Sequence, residues 1–145
     1  SVEALKDATG EHLGYSEWME ITQDRVNRFA DATDDHQFIH IDPAAAAQTL
    51  FGGTIAHGFL TLSLVVTLVG QIYRVAGIRM AVNYGLNRVR FPAPVPVGSK
   101  IRAGAELRSA TDVPGGLQVE LTVTVETEGG TKPVCVAETV SRLYV

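Results

Sequence analysis

The hydrophobic pattern of the chain changes once, from a helical period to the two-residue period of strands. Between residues 58 and 73 apolar side chains recur at helical spacing and lie on nearly all sides of the predicted helix. A helix that is apolar all round is buried, so we expect this segment in the core. After Gly77 apolar and polar residues alternate, as in 101–108 and 117–126, which predicts half-buried antiparallel strands.

Two further long strands and several short elements complete the predicted order. The long strands are expected at 80–91 and 134–144, with turns at 113–116 and 129–130. The upstream elements are a short strand at 16–21, a helix at 22–33 capped by Thr22, and a short helix at 43–48 that begins at Pro43. Strands and helices do not alternate, so the pattern predicts an α+β fold whose antiparallel sheet wraps around the central hydrophobic helix.

Length and composition fit an ordinary compact protein. The 145 residues, 46% hydrophobic and 19% charged, predict one domain over residues 1–145. The single cysteine, Cys135, excludes an internal disulfide and is expected to be an inert small hydrophobe in a reduced compartment. The first ten residues are polar and acidic, unlike a signal peptide, so we expect a cytoplasmic protein. Polar residues interrupt the uncharged stretch 51–73, so we expect no membrane span.

Charge is distributed unevenly although the net value is only −4. This acidic balance argues against nucleic acid as a partner, because phosphate binding requires a basic footprint. Residues 1–42 carry a net charge of −7, whereas residues 74–108 hold seven basic residues and one acidic residue. That basic stretch is either the solvated face of strands or a site for an anionic ligand, and the pattern leaves both readings open.

Candidate chemistry concentrates in the polar segment, residues 34–43, and just after it. Three of the four histidines, His36, His40 and His57, lie within 22 residues, and Asp35 precedes His40 by five positions in a predicted loop. A loop can turn both side chains toward one point, but the spacing also fits a turn-capping aspartate and a packing histidine. A metal site that includes Asp42 is disfavoured, because His36 and His40 would share a face only on a helix, so we expect no metal.

Two segments, residues 30–43 and 51–63, resemble the MaoC-like family of (R)-specific enoyl-CoA hydratases, and within it the nodulation protein N-like branch. The hydratase signature of that family is Asp-x-Asn-Pro-x-His, and Asp35 and His40 fall on its two catalytic positions. The family opens its central helix with His-Gly, matched by His57-Gly58, and has a polar residue five positions later, matched by Ser63. The Asn-Pro pair is Gln-Phe at 37–38, a departure that bears on substrate preference.

The resemblance implies a hot-dog fold and reversible syn hydration of trans-2-enoyl thioesters to (3R)-3-hydroxyacyl thioesters. Asp35 would be the general base, with His40 orienting the water. The backbone near Gly58 would stabilise the thioester oxyanion, and Ser63 would help to position the catalytic pair. We expect no cofactor, a substrate carried on CoA or on acyl carrier protein, and a homodimer that joins two chains in one continuous sheet.

The candidate substrate-binding residues are His57, Arg79, Arg88 and Arg90. The arginines supply a plausible docking surface for the phosphates of CoA, whereas for His57 a structural role, orienting the loop or packing, is favoured. Two other functions stay open: a hot-dog acyl-CoA thioesterase, and a non-catalytic acyl-binding or partner subunit. The intact pair of Asp35 and His40 favours hydration over both.

Overall fold

A computed structural model describes all residues from Ser1 to Val145. The helices are α1 Val2–Asp7, α2 Gln23–Thr33, α3 Phe38–Ile41, α4 Pro43–Ala46 and α5 Gly58–Val69. The strands are β1 His12–Tyr15, β2 Met19–Glu20, β3 Met80–Arg90, β4 Lys100–Val113, β5 Gly116–Thr127 and β6 Cys135–Tyr144. None of the helices has the length and apolar run that crossing a bilayer requires.

The six strands form one antiparallel sheet. Its order is β1-β4-β5-β6-β3, and β2 pairs with β4 beside β1. Strands β4 and β5 form a hairpin that closes with Val113 opposite Gly116. In the turn between them Gly115 has a φ of +80°, a conformation that glycine adopts without steric cost, so the turn predicted at 113–116 is confirmed. Strand β3 lies at one edge and pairs with β6 alone.

Helix α5 forms the centre of the core. Its buried residues Leu60, Leu64 and Leu68 belong to one hydrophobic cluster with inward-facing strand residues such as Ile101 and Leu107. Every second residue along most of β4 and β5 enters this cluster, because side chains alternate between the two faces of a sheet. An antiparallel sheet around one central helix is the hot-dog fold, so the predicted fold class is confirmed.

The N-terminal strand differs from its prediction. Instead of one strand at 16–21, the chain forms β1 and β2 on either side of Ser16. The Ser16 hydroxyl accepts a hydrogen bond from the Ala103 N–H at 2.9 Å, while its own N–H donates to the Ala103 carbonyl at 2.8 Å. A side-chain oxygen thus replaces the backbone carbonyl that a continuous ladder would use, and the strand is interrupted there.

Several helix boundaries also differ from the predicted ones. Helix α5 ends at Val69 rather than at 73, and residues 70–73 continue as turns bonded to carbonyls of its last residues. Helix α4 ends at Ala46 rather than at 48. The single turn α3 lies inside the segment predicted as a loop, and α1, which Ser1 caps and Leu5 anchors in the core, was not predicted at all.

Strand β3 differs from the other long strands in its exposure. Nearly every residue of β3 is exposed, whereas β4 and β5 bury alternate residues. The exposed residues include four large apolar ones, namely Met80, Val82, Tyr84 and Leu86. Unpaired backbone groups at a sheet edge, combined with apolar side chains, form a surface that favours pairing with another strand.

Candidate active site

The site is built from residues 34–57, here called the site segment, which links α2 to α5. Asp34 ends α2 in the left-handed conformation, with φ +59°, and so turns the chain away from the helix axis. Asp35 follows in the turn, and α3 then carries His40 into the interior. Asp42 caps α4, its carboxylate accepting the Ala45 N–H at 3.1 Å, and is thereby occupied structurally.

The orientation of His40 is fixed by a backbone carbonyl. Its ring is buried, and Nδ1 lies 2.7 Å from the Ile55 carbonyl oxygen. A carbonyl can only accept, so Nδ1 carries the proton and donates it to this bond. In the neutral ring Nε2 therefore has a free lone pair, which can accept a hydrogen bond from a water molecule or take a proton.

His57 is the residue just before α5, and it is buried against the same ring. Its Nε2 donates to the Asp35 carbonyl oxygen at 3.0 Å, and its ring stacks on that of His40 with centroids 3.8 Å apart and planes at 23°. The Phe29 ring also packs against His57, with the two centroids 4.9 Å apart and the planes tilted by 55°. Burial lowers the pKa of His57 below its ordinary value, so the ring is held neutral. Its Nδ1 is buried without a hydrogen-bond partner.

These contacts gather three of the predicted residues. A carboxylate oxygen of Asp35, one ring nitrogen of His40 and one of His57 lie within 4.8 Å of one another. The Asp35 side chain is exposed, whereas both histidines are buried, so the site has a solvent-facing carboxylate next to a buried imidazole pair. His36 is not part of the group, because its Nε2 binds the Asp31 carboxylate at 2.9 Å on the exposed side. That hydrogen bond raises the pKa of His36.

The same three side chains must be weighed as a metal site, because their donor atoms are close enough to share an ion. The lone pairs of an imidazole lie in its ring plane, and the planes of His40 and His57 are stacked and nearly parallel. Lone pairs that lie in two nearly parallel, stacked planes do not meet at one nearby point, as tetrahedral or octahedral ligation requires. The stacked arrangement of the two rings therefore does not favour their ligating one metal ion together.

The first turn of α5 provides free backbone donors. The N–H groups of Leu60 and Thr61 bind the His57 carbonyl, whereas those of Gly58 and Phe59 have no acceptor. Unpaired N–H groups and the helix dipole favour negative charge at this end. Gly58 is also closely packed, since a Cβ there would lie 3.0 Å from the Phe91 ring. Its lack of a side chain thus accommodates Phe91 next to the free donors.

An apolar cavity of about 320 Å³ adjoins this helix end. Gly58 and Thr61 line it from α5, together with Phe51, the 55–56 pair, residues 91–95 and Val134. Its walls are mostly hydrophobic, which suits an acyl group or another apolar moiety. A second apolar cavity, of about 370 Å³, lies at the other end of α5 between residues such as Val66 and Tyr73 and the strand β3.

Ser63 and the arginines lie outside the gathered group. The Ser63 hydroxyl is exposed and donates to the Phe59 carbonyl at 2.7 Å, the ordinary bond of a serine within a helix. Arg79 directly precedes β3, Arg88 and Arg90 belong to it, and all three are exposed without an acidic partner. Arg79 and Arg90 are separated by about 36 Å along an extended chain, so one phosphate cannot bind both.

Sequence reasoning missed the groups that hold the histidines in place. The Ile55 carbonyl fixes His40, and the Gln23 side chain binds both the His40 carbonyl and the Thr54 hydroxyl. A backbone carbonyl has no signature in the sequence. A glutamine in the first turn of a helix reads as an ordinary helix former, so nothing in the pattern marked Gln23.

A hot-dog sheet with an aspartate and two histidines gathered at the start of its central helix defines, together with its relatives, a hydratase or dehydratase of the hydro-lyase type. The model of the MaoC-like domain family matches residues 4–129. The chain belongs to the MaoC-like domain family.

Individual relatives agree with this membership. The 3-hydroxyacyl-thioester dehydratase Z of Mycobacterium tuberculosis is 55% identical over 143 residues, which cover 98% of this chain and 95% of the relative. Nodulation protein N of Rhizobium leguminosarum is 46% identical over 132 residues, or 88% of this chain and 81% of the relative. The solved (R)-hydratase from A. caviae involved in PHA biosynthesis superposes with a TM-score of 0.77 at 29% identity, covering 93% of this chain and 96% of that one.

Proposed function

We propose that the protein is an (R)-specific enoyl-thioester hydratase, which adds water reversibly to trans-2-enoyl thioesters and yields (3R)-3-hydroxyacyl thioesters. The observation that carries the proposal is the convergence of the Asp35 carboxylate with the buried, carbonyl-fixed His40 beside the free donors of α5. The names of the M. tuberculosis dehydratase and the A. caviae (R)-hydratase support the same reaction class.

In the proposed mechanism Asp35 and His40 activate one water molecule. Asp35 takes a proton from the water, while Nε2 of His40 accepts its second O–H and orients the oxygen toward the β-carbon. The new C–O bond pushes the π electrons of the alkene toward the thioester carbonyl. The proton taken from the water is then returned to the α-carbon on the same face, either by Asp35 or after transfer from Asp35 to Nε2 of His40, so the addition is syn and the atoms of water are conserved.

The charge that develops on the thioester oxygen needs a donor. We assign this role to the N–H of Gly58, with that of Phe59 beside it, because neither has an acceptor within the protein. Preorganised donors of this kind typically contribute about 100- to 1000-fold in rate. The apolar cavity beside Gly58 would hold the part of the substrate next to the reacting carbons.

The working unit in this proposal is a homodimer of two single-domain chains, and its substrate is a thioester of CoA. The exposed apolar edge of β3 is the surface on which a second copy would continue the sheet. Arg79, Arg88 and Arg90 would provide a positive potential that attracts an anionic carrier, without forming a single phosphate-binding site. Ser63 would help to position the catalytic pair indirectly, through helix α5. Cys135 is buried and free, in keeping with the reduced cytoplasm.

The experiment that tests the proposal is an assay of the purified protein with crotonyl-CoA. We expect loss of the enoyl absorbance and formation of (3R)-3-hydroxybutyryl-CoA, with no release of free thiol and no change after dialysis against a chelator. Thiol release would identify a thioesterase, and binding without turnover would identify an acyl-binding subunit. A stoichiometric ion that is needed for activity would overturn the metal-free mechanism.

A further inference from the structure

The Gln23 side chain makes three hydrogen bonds around the site, and none of them involves the side chains of Asp35, His40 or His57. Its Nε2 donates to the His40 carbonyl at 2.7 Å and to the Asn27 side-chain oxygen at 2.9 Å, and its Oε1 accepts the Thr54 hydroxyl at 2.7 Å. Because a backbone carbonyl only accepts, the amide nitrogen must face His40, and this fixes the orientation of the whole amide.

These bonds close a loop through the site. Gln23 links the backbone of His40 to Thr54, and the next residue, Ile55, accepts the Nδ1 proton of His40. The Ile55 N–H in turn donates to the Ile39 carbonyl at 3.0 Å. Backbone and ring of His40 are thus tied to the same short stretch, residues 54–55, and the Thr54 side chain is itself buried.

The clamp matters because α3 cannot hold its own geometry. It is a single turn of four residues without a side-chain cap at its start, and an isolated turn of that length is unstable in water. The last carbonyls of a helix have no partner within it. Gln23 supplies the donor for one of them, the carbonyl of His40, and does so from a helix, α2, that is anchored by buried Val26 and Ala30.

We propose that Gln23 is a positioning residue: its amide clamps His40 to residues 54–55, which keeps the Nδ1–H group donating to the Ile55 carbonyl and leaves Nε2 as the nitrogen available to water. The consequence for rate rests on the proposed function, whereas the clamp itself does not. Loss of the clamp would let α3 shift and the ring exchange its proton between the two nitrogens. Small displacements of a catalytic group cost up to about 100-fold in rate.

The test compares Gln23→Met with Gln118→Met. Methionine keeps the length and shape of glutamine but makes no such bonds, and Gln118 is a matched control, half-buried and bonded to Arg142 on the sheet. We expect Gln23→Met to lower kcat for crotonyl-CoA about 10- to 100-fold with KM within about twofold. Gln118→Met should leave both constants near wild type. Equal effects of the two variants would overturn the proposal.

A spectroscopic arm keeps the clamp testable apart from activity. In the neutral form of the ring, ¹⁵N NMR of the wild type should show His40 with its proton on Nδ1, and Gln23→Met should show a mixture of the two tautomers. An unchanged His40 signal in the variant overturns the proposal. If the wild type hydrates nothing but the variant still shifts the His40 signal, the clamp stands and only the proposed reaction fails.

A milder variant covers the case in which Gln23→Met does not fold. Thr54→Val keeps the shape of the threonine and removes one bond of the loop, that to Gln23 Oε1. We expect about a threefold to tenfold loss in kcat and a partial shift of the His40 signal toward the second tautomer. Wild-type kcat and a wild-type His40 spectrum in Thr54→Val would overturn the proposal.

Discussion

The site segment, residues 34–57, and the edge strand β3 both carry polar and apolar side chains near water. The two regions differ in how many of these side chains are fixed by bonds within the chain. In the site segment each buried imidazole has one nitrogen bound to a backbone carbonyl, so the fold itself sets the ring. Along β3 the arginines have no acidic partner and the large apolar side chains are exposed. The site segment therefore has its geometry fixed within one chain, whereas β3, although paired with β6, leaves apolar side chains exposed at a sheet edge.

The largest expected effect is a loss of activity when the proposed catalytic residues of the site segment, Asp35 and His40, are substituted. Asp35→Asn and His40→Ala should each lower kcat/KM for crotonyl-CoA by roughly 100- to 10,000-fold, the range of general acid–base catalysis. His36→Ala is the matched control, because this histidine binds only Asp31 on the exposed side. It should retain wild-type turnover. Near-normal activity of Asp35→Asn, or a comparable loss in His36→Ala, would contradict the assignment.

The second effect concerns the β3 edge. A lysine in place of Leu86, which is 45% exposed in the single chain, would place a charge at the proposed contact between the β3 edge and the second chain. We expect Leu86→Lys to shift the protein from dimer to monomer, measured by light scattering on a sizing column, with unchanged far-ultraviolet circular dichroism. Asn87→Lys would be a poorer control because its side chain binds Glu120, so Val145→Lys at the chain end serves instead. A dimer that persists in Leu86→Lys would place the interface elsewhere.

A moderate effect is expected in the pH dependence of stability. Burial lowers the folded-state pKa of His57, so the unfolded chain binds that proton first and the folded state loses stability as the pH falls below about 6.5. His36 acts in the opposite sense: its raised pKa contributes stability at low pH that is lost as the pH rises through the folded-state value.

The two histidines can be compared by thermal unfolding. His57→Gln should flatten the fall of Tm between about pH 7.5 and 5.5, since the group that resists protonation is gone. His36→Gln should make that fall slightly steeper, by an amount reduced by solvent screening of an exposed pair. The same slope in His57→Gln and in the wild type would show that His57 does not contribute to the acid sensitivity.

The smallest effect is expected from the arginines of β3. Arg88→Ala and Arg90→Ala should each raise KM for crotonyl-CoA about twofold at low salt and leave kcat unchanged, because exposed charges steer an anionic substrate weakly. The increase should vanish at about 0.5 M salt, where screening removes the field. Unchanged KM values at low salt would show that these arginines form a solvated strand face and do not attract the substrate.

The periodicity of the sequence was enough to place α5 and the β4–β5 hairpin, whereas the density of polar residues and the motif resemblance located the site segment. It failed where one side chain replaced a backbone partner, as at Ser16, which splits the first strand. It also failed at Gln23, because helix propensity does not reveal a long-range bond to His40. The motif resemblance supplied Asp35 and His40, but Ser63, brought in by the same motif, bonds within its own helix. The interaction of His57 with the Asp35 carbonyl became visible only in three dimensions.

The stereochemistry of hydration in deuterated water offers the most direct measurement of a shared Asp35–His40 site. If these two residues, gathered within 4.8 Å with His57, deliver both hydroxyl and proton from one side, crotonyl-CoA should give a single diastereomer. The coupling constant between the hydrogens on C2 and C3 should then report syn addition, and a chiral analysis of the product should give the 3R configuration at the hydroxyl carbon. Anti addition, a mixture of diastereomers or a 3S product would contradict a single Asp35–His40 site for both steps.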